Sequence, residues 1–218
     1  MHRVPLVVGR PRLRRNARDA YSQFQAATAI GLPNGVTFPD TSLGRQLKQV
    51  AQIIAGRNVL GVRRQVFYVQ WGGWDFHDEV LNSMNNMMPV VSKALKAFYD
   101  CTVAMGVAND VTTFTASDFG RTLTSNAMGS DHAWGGNQLV VGGAVRGKRI
   151  YGTFPDLSLD SARDAGRGNL IPTTSVDQYA AELALWMGVN RSDLDKVLPN
   201  IPNFWNPQTA GGPLGFLV

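Results

Sequence analysis

The sequence predicts an α/β fold built around a parallel strand–helix–strand unit. Residues 65–71 and 111–116 are rich in strand-forming residues, and a long helical pattern over about residues 78–106 separates them. A crossover of this length between two strands normally makes a right-handed parallel unit. We therefore expect the two strands to end at the same edge of one sheet.

The chain before this unit divides into a basic segment, a turn-rich segment and a helix. Residues 1–20 are interpreted as a basic flexible leader, and residues 21–218 as the domain. Residues 21–40 carry several Gly, Pro and Asn residues typical of turns. A helix is predicted to begin at Thr41 and Ser42 and to end at Gly56, because apolar residues recur on one face between them.

The net charge of +5 belongs to the leader. Six of the 21 basic residues lie in the first 18 positions, which contain no acid, so the remainder holds 15 basic and 16 acidic residues. A basic arm of this kind could touch nucleic acid or anionic lipid. The nearly equal numbers of basic and acidic residues in the domain give no further reason to expect nucleic-acid binding. We therefore do not expect nucleic acid as a partner. The arginines are Arg3, Arg10, Arg12, Arg14, Arg15 and Arg18.

Shorter elements are predicted after the second strand. Residues 119–137 read as a polar, glycine-bearing loop, residues 139–141 and 149–151 as short strands, and residues 152–172 as a loop. Ser175 opens an N-capped helix that ends near Gly188, and residues 193–198 form a further short helix. No run approaches 18 apolar residues, so no transmembrane segment is expected. A signal peptide is not expected either, because no apolar stretch follows Arg14 and Arg15.

Acidic and histidine side chains follow the two predicted strands and the loop after them. The group comprises Asp75, His77, Asp118, Asp131 and His132. Aspartate and histidine are the usual ligands of a borderline divalent ion. Asp75 and His77 are two residues apart, so in extended backbone their side chains leave on the same face. The pattern predicts a site for one divalent metal, which could be Zn, Mn, Ca or Mg.

Each of these residues taken singly has a simpler interpretation. An aspartate after a strand commonly caps a turn, and a lone histidine commonly makes a structural hydrogen bond. The set favours a metal or anion site because both histidines outside the leader fall in it, each close to an acid. Arg121 could hold an anionic ester by a bidentate contact, or equally form a salt bridge with Asp118 or Asp131.

Five motifs follow one another along the chain, namely LGRQLK at residues 43–48, GGWDFH at 72–77, SDFGRT at 117–122, SDHAWGG at 130–136 and GGAV at 142–145. Together they resemble the carboxyl-terminal half of the bacterial proteins grouped as domain of unknown function 1501. The resemblance runs from about residue 40 to the carboxyl terminus. That group is similar in fold to the alkaline phosphatase and sulfatase superfamily.

The resemblance implies a three-layer α/β/α sandwich, alkaline phosphatase-like, of which this chain would be an incomplete copy. It places Asp75, His77, Asp118 and His132 on the metal-binding positions of the superfamily. It also implies a periplasmic or secreted protein. The superfamily's nucleophile and first metal-binding acid belong to an amino-terminal portion that we expect to be missing here. Asp118 is followed by Phe119 where phosphatases have Asp-His, so the sequence departs from the family pattern at the second metal and leaves the number of ions open.

Two functions follow from this resemblance. The first is a metal-dependent hydrolase of phosphate or sulfate esters, acting on a small-molecule or glycan anionic ester, with Arg121 contacting the oxyanion and Asp131 acting as a ligand or orienting His132. Because no nucleophile is evident, this chain by itself is expected to be weakly active or inactive. The second is a non-catalytic envelope or glycan-binding protein that keeps a structural metal site.

Overall fold

The protein is a mixed α/β chain with several helices and two small antiparallel sheets. A computed structural model describes the backbone of residues 9–218 and the side chains of residues 18–218. The chain forms two compact units. One comprises Met1–Trp71 and Val90–Gly106, and the other comprises Gly72–Pro89 and Val107–Val218.

The first unit is helical. It contains α1 (Gly9–Thr28), α2 (Ser42–Ala55), α3 (Arg57–Leu60) and the carboxyl-terminal part of α4 (Val80–Ala104). Gly56 ends α2 against α1, where an added Cβ would lie 2.5 Å from the Cβ of Ala27. This close approach requires glycine. The buried apolar residues of the unit are Ala27, Leu43, Leu47, Ala51, Ile54, Ala94, Ala97, Phe98 and Cys101.

The two long predicted helices are confirmed. α2 begins after Thr41, whose hydroxyl accepts the Gly44 N–H at 3.1 Å, and Gly56 is its carboxyl cap. α4 lies within the predicted range and continues through Pro89, close to the boundary between the units. α1 begins at Gly9, so the helix enters the segment predicted to be a flexible leader. Residues 1–8 of that leader, and the side chains of residues 9–17, lie outside the described residues.

The predicted parallel unit is wrong. Residues 65–71 form no strand with any part of the chain that the structure describes, although half-buried and exposed residues alternate along them. The second predicted strand is present as β1 (Thr112–Phe114), which pairs antiparallel with β4 (Val140–Gly142). Strand propensity therefore predicted where β1 and β4 lie. It did not predict that they pair with each other, because pairing depends on contacts between residues distant in the chain.

The second sheet was not predicted. β2 (Gly120–Ser125) and β3 (Ser130–Ala133) form an antiparallel hairpin within the segment interpreted as a polar loop. Residues 149–151, predicted as a strand, form none in the described chain. The hairpin was not predicted because the register of the two strands shifts between Arg121 and Ser125, so the side chains do not alternate regularly between the two faces.

Two short helices complete the second unit. α5 (Val176–Trp186) begins at a capping box formed by Ser175 and Gln178, and α6 (Leu194–Val197) follows it, both as predicted. Their core is a small cluster of fully buried residues, namely Ala181, Leu194 and Ile201. Among the residues that the structure describes, no helix combines the length and apolar character that crossing a bilayer would need.

The carboxyl-terminal segment is held by a buried acid on α5. Glu182 is 4% exposed, and its carboxylate accepts the N–H groups of Leu214, Gly215 and Leu217 at 3.1–3.2 Å. An added Cβ at Gly212 would lie 2.0 Å from Oε2 of the same carboxylate. Glu182 therefore fixes the path of the last residues through backbone hydrogen bonds.

Candidate metal centre

The β2–β3 hairpin presents two side chains of the candidate site opposite each other. Arg121 on β2 pairs directly with His132 on β3. An added Cβ at Gly120 would lie 1.7 Å from the carbonyl oxygen of Gly135, so only glycine permits this close packing. Directly opposed residues of an antiparallel pair have neighbouring side chains. The hairpin therefore places a guanidinium group beside an imidazole.

The segment before α4 supplies Asp75 and His77. Phe76 between them is buried, and its carbonyl oxygen accepts the N–H of Ser130 at 3.4 Å. An added Cβ at Gly129 would lie 2.5 Å from the carbonyl carbon of His77. The segment is thus anchored to the hairpin by one inward aromatic residue and by close backbone contact. Asp75 and His77 both remain exposed.

Three predicted ligands converge on one point. The Oδ1 atom of Asp75 lies 2.7 Å from Nε2 of His132 and 3.0 Å from Nε2 of His77. All three atoms lie within 4.8 Å of one another. The exposed fraction of the side chain is 56% for Asp75, 50% for His132 and 51% for His77. Three converging ligands with an open side match the arrangement of catalytic zinc sites, in which three protein groups leave one position free.

Asp131 lies behind His77 and outside the group of three. Its Oδ1 is 3.7 Å from Nδ1 of His77, the nitrogen that faces away from the shared point, and it accepts Nδ2–H of Asn126 at 3.1 Å. Its Oδ2 is 2.9 Å from the Arg167 guanidinium. The bond from Asn126, followed by Arg167, lowers the pKa of Asp131 despite some desolvation. A carboxylate facing the second nitrogen of a ligating histidine is the usual outer partner in metal sites.

The carboxylate of Asp75 is held ionised. Its hydrogen bond with His132 is the largest cause of its lowered pKa, and the bond from Arg121 and the charge of His77 add to it. Metal ligands must be deprotonated, so an ionised Asp75 is suited to hold a divalent ion.

The guanidinium group of Arg121 is hydrogen-bonded to other groups of the protein. Its Nη1–H donates to the carbonyl oxygen of Ser130 at 2.7 Å, and its Nη2–H groups donate to the carbonyl oxygen of Trp74 at 3.0 Å and to Oδ1 of Asp75 at 2.7 Å. The side chain is 20% exposed, and its buried Nε has no partner in the described part of the chain. The salt bridge foreseen for Arg121 exists, but with Asp75. Its contact with an oxyanion stays a prediction.

Asp118 is exposed and is not one of the three converging ligands. It lies between β1 and β2 instead of at the end of a parallel strand, because β1 pairs with β4. Its neighbour Phe119 does belong to the site. The Phe119 ring stacks on the His132 ring at 4.2 Å between centroids and 8° between planes.

Sequence reasoning missed three contributors to the site. Phe119 fixes the plane of an imidazole, Asn126 holds Asp131, and Arg167 reaches Asp131 from a distant loop. Asn126 follows β2 directly, where a turn residue is expected in any hairpin. Nothing in the sequence around Arg167 indicates its partner.

The donor set fits a borderline divalent ion. Two imidazole nitrogens and one carboxylate suit an ion such as Zn²⁺ better than Ca²⁺ or Mg²⁺, which prefer oxygen ligands. The fold and this cluster define a mixed α/β protein with a candidate three-ligand metal centre. The sequence pattern of the family described as "Protein of unknown function (DUF1501)" matches residues 13–191, and the chain belongs to that family. No curated protein and no solved structure gives a significant match.

Proposed function

We propose that the protein is a metal-dependent hydrolase of phosphate or sulfate esters. The observation that carries the proposal is the convergence of Asp75, His77 and His132 with about half of each side chain open to solvent. A purely structural site usually has four protein ligands and is closed. A set of three on an accessible surface leaves room for an anionic ester, either a small molecule or a glycan.

The three converging residues would hold the ion, and their neighbours would orient them. When bound, the ion supplies Lewis-acid polarisation of an ester oxygen and of an attacking water. Asp131 faces Nδ1 of His77 and favours the tautomer whose Nε2 is free to bind metal. Arg121 holds Asp75 in place and offsets its charge. Phe119 limits rotation of the His132 ring.

The finer fold and the location of the protein are part of the same proposal. We place the family among proteins with an alkaline phosphatase-like three-layer α/β/α sandwich, and we propose a periplasmic or secreted location. The resemblance of the motifs around residues 72–77, 117–122 and 130–136 supports both statements. The observed helices and sheets make the protein mixed α/β, which is the coarser class to which the proposed fold belongs.

Metal analysis and turnover test the proposal together. Purified protein is expected to bind about one equivalent of Zn²⁺ or Mn²⁺ and to hydrolyse an aryl phosphate or aryl sulfate slowly, because no nucleophile is evident in this chain. The His132→Ala variant should lose both properties. His2→Ala removes the histidine that the sequence places in the leader and not in the predicted ligand set, and it serves as the matched control. Metal-free protein with unchanged turnover would contradict the proposal.

A second candidate is a non-catalytic envelope or glycan-binding protein with a structural metal site. One observation favours it. In the described part of the chain, no serine, threonine or cysteine side chain is hydrogen-bonded to Asp75, His77 or His132. Metal binding that raises the melting temperature without turnover of either ester would support this second function over the first.

A further inference from the structure

The loop at residues 164–170 is distant in sequence from the ligands of the candidate centre, and hydrogen bonds hold its backbone in one conformation. An antiparallel bridge between Asp164 and Leu170 closes the loop. Inside it, Oδ1 of Asp164 accepts the N–H groups of Gly166 at 2.8 Å and Gly168 at 2.9 Å, while Oδ2 accepts that of Asp160 at 2.9 Å. One ionised side chain therefore determines the conformation of the loop.

Three consecutive residues of the loop adopt left-handed backbone. Gly166, Arg167 and Gly168 have φ values of 110°, 59° and 73°. Glycine adopts such values readily, but arginine at positive φ is uncommon and costs on the order of 1 kcal/mol or more. Such backbone persists where the surrounding structure fixes it, and it is often found at functional sites.

The loop is joined to β2 by backbone hydrogen bonds. The N–H of Leu123 donates to the carbonyl oxygen of Gly168 at 3.0 Å, and that of Thr124 donates to the carbonyl oxygen of Arg167 at 3.2 Å. An added Cβ at Gly168 would lie 2.5 Å from the Leu123 Cβ, so the contact is close. These bonds place Arg167 beside the strand that carries Arg121.

The side chain of Arg167 completes a chain of contacts that ends at a metal ligand. Its Nη2 lies 2.9 Å from Oδ2 of Asp131, and Oδ1 of the same carboxylate lies 3.7 Å from Nδ1 of His77. The second oxygen of Asp131 is thereby occupied, so the first is left to Asn126 and His77. Without the guanidinium, the carboxylate could rotate toward solvent, because it is about one-third exposed.

We infer that Arg167 is a positioning residue of the candidate metal centre, acting through Asp131 on the His77 ring. The inference rests on the proposed metal site and adds a residue to it. Loss of an outer partner of a metal-bound histidine typically reduces affinity 10- to 100-fold. Arg167 is one contact further out, so its removal is expected to cost about tenfold, at the lower end of that range.

The test is Zn²⁺ affinity of the full-length protein, measured by competition with a chromophoric chelator. Arg167→Asn removes the guanidinium while keeping a residue that tolerates left-handed backbone. It should bind Zn²⁺ about tenfold more weakly. Arg167→Lys keeps a positive charge and should recover most of the affinity. Arg163→Asn is the matched control, because it removes an exposed arginine from the adjoining segment.

A second measurement is independent of metal. The ¹⁵N resonances of the His77 ring in metal-free protein report which nitrogen carries the proton. Arg167→Asn should change this tautomer balance and Arg163→Asn should not. Arg167→Gly, which relieves the left-handed strain, should behave like Arg167→Asn because the guanidinium and not the loop is responsible.

The failures of the two proposals are distinguishable. Wild-type protein that binds no divalent metal would contradict the proposed function, and the ring resonances would then decide the role of Arg167 alone. Zn²⁺ affinity that is unchanged in Arg167→Asn, or lowered equally in Arg163→Asn, would overturn the inference while leaving the metal site intact. Unaltered ring resonances in Arg167→Asn would overturn it as well.

Discussion

The carboxylate of Asp75 and the imidazole of His132 are in direct contact, although 57 positions separate them in the chain. Oδ1 of the first lies 2.7 Å from Nε2 of the second. The same oxygen accepts a hydrogen bond from Arg121 and lies 3.0 Å from Nε2 of His77. A single carboxylate oxygen with three nitrogen neighbours is therefore the centre of the candidate site.

Replacing Asp75 by Asn should abolish tight metal binding. The change removes the ionised ligand, and we expect the affinity for Zn²⁺ to fall more than about 100-fold, beyond the range for outer partners. It also leaves the mostly buried Arg121 without its anion, which should lower the unfolding free energy. Calorimetric titration and urea unfolding measure the two effects.

Asp118→Asn is the matched control for that experiment. Asp118 is exposed and outside the converging group, so the affinity should stay within about twofold of wild type. A loss as large as that of Asp75→Asn would show that Asp118 is a ligand, as the family resemblance implies, and that the group of three is incomplete.

The stacking of Phe119 on His132 should contribute to stability and to metal affinity. Aromatic pairs of this geometry contribute about 0.5–1.5 kcal/mol beyond their buried area. Phe119→Leu keeps an apolar side chain but removes the flat ring face, so unfolding free energy should fall by about that amount. Zn²⁺ affinity should fall with it, because the imidazole can then rotate. Unfolding free energy and affinity equal to those of wild type would show that the stacking is incidental.

Removing the buried carboxylate of Glu182 should release the carboxyl-terminal segment. Glu182→Ala leaves three backbone N–H groups without their acceptor, and we expect a loss of about 3 kcal/mol in urea unfolding. Gly212→Ala tests the same contact from the opposite side, because its Cβ would displace the carboxylate. Faster hydrogen exchange at residues 214–217 should accompany both changes. Wild-type exchange rates in both variants would contradict this role.

The loop that carries Arg167 should open in acid. Backbone hydrogen bonds, first that from Asp160 and then those from Gly166 and Gly168, hold the pKa of Asp164 below its ordinary value of 3.8. Because the folded pKa is depressed, the stabilisation is present above pH 3.8 and is lost as pH falls through the folded pKa.

Hydrogen exchange of the Gly166 and Gly168 amides measures this opening. Their protection should decrease below about pH 4 in wild-type protein. In Asp164→Asn it should be reduced already at neutral pH and should change little on acidification. Protection in Asp164→Asn equal to that of wild-type protein at neutral pH would contradict the role given to the carboxylate.

The sequence by itself determined the helices that follow residue 40 and the residue types of the candidate site, but not α1, which covers residues predicted as a leader and as turns. α2, α4 and α5 follow from local signals, namely apolar periodicity together with the caps at Thr41 and Ser175, which act within one or two turns. Asp75, His77 and His132 were recognisable because few side chains bind borderline metals and these cluster beside glycines.

Tertiary structure alone decided which residues meet. The β2–β3 hairpin, the antiparallel pairing of β1 with β4, the choice of Asp75 as the ion-pair partner of Arg121 and the contact between Arg167 and Asp131 were not foreseen. The reason is physical. Strand pairing and ion pairs join residues distant in the chain, and their partners are chosen by packing that no local pattern encodes.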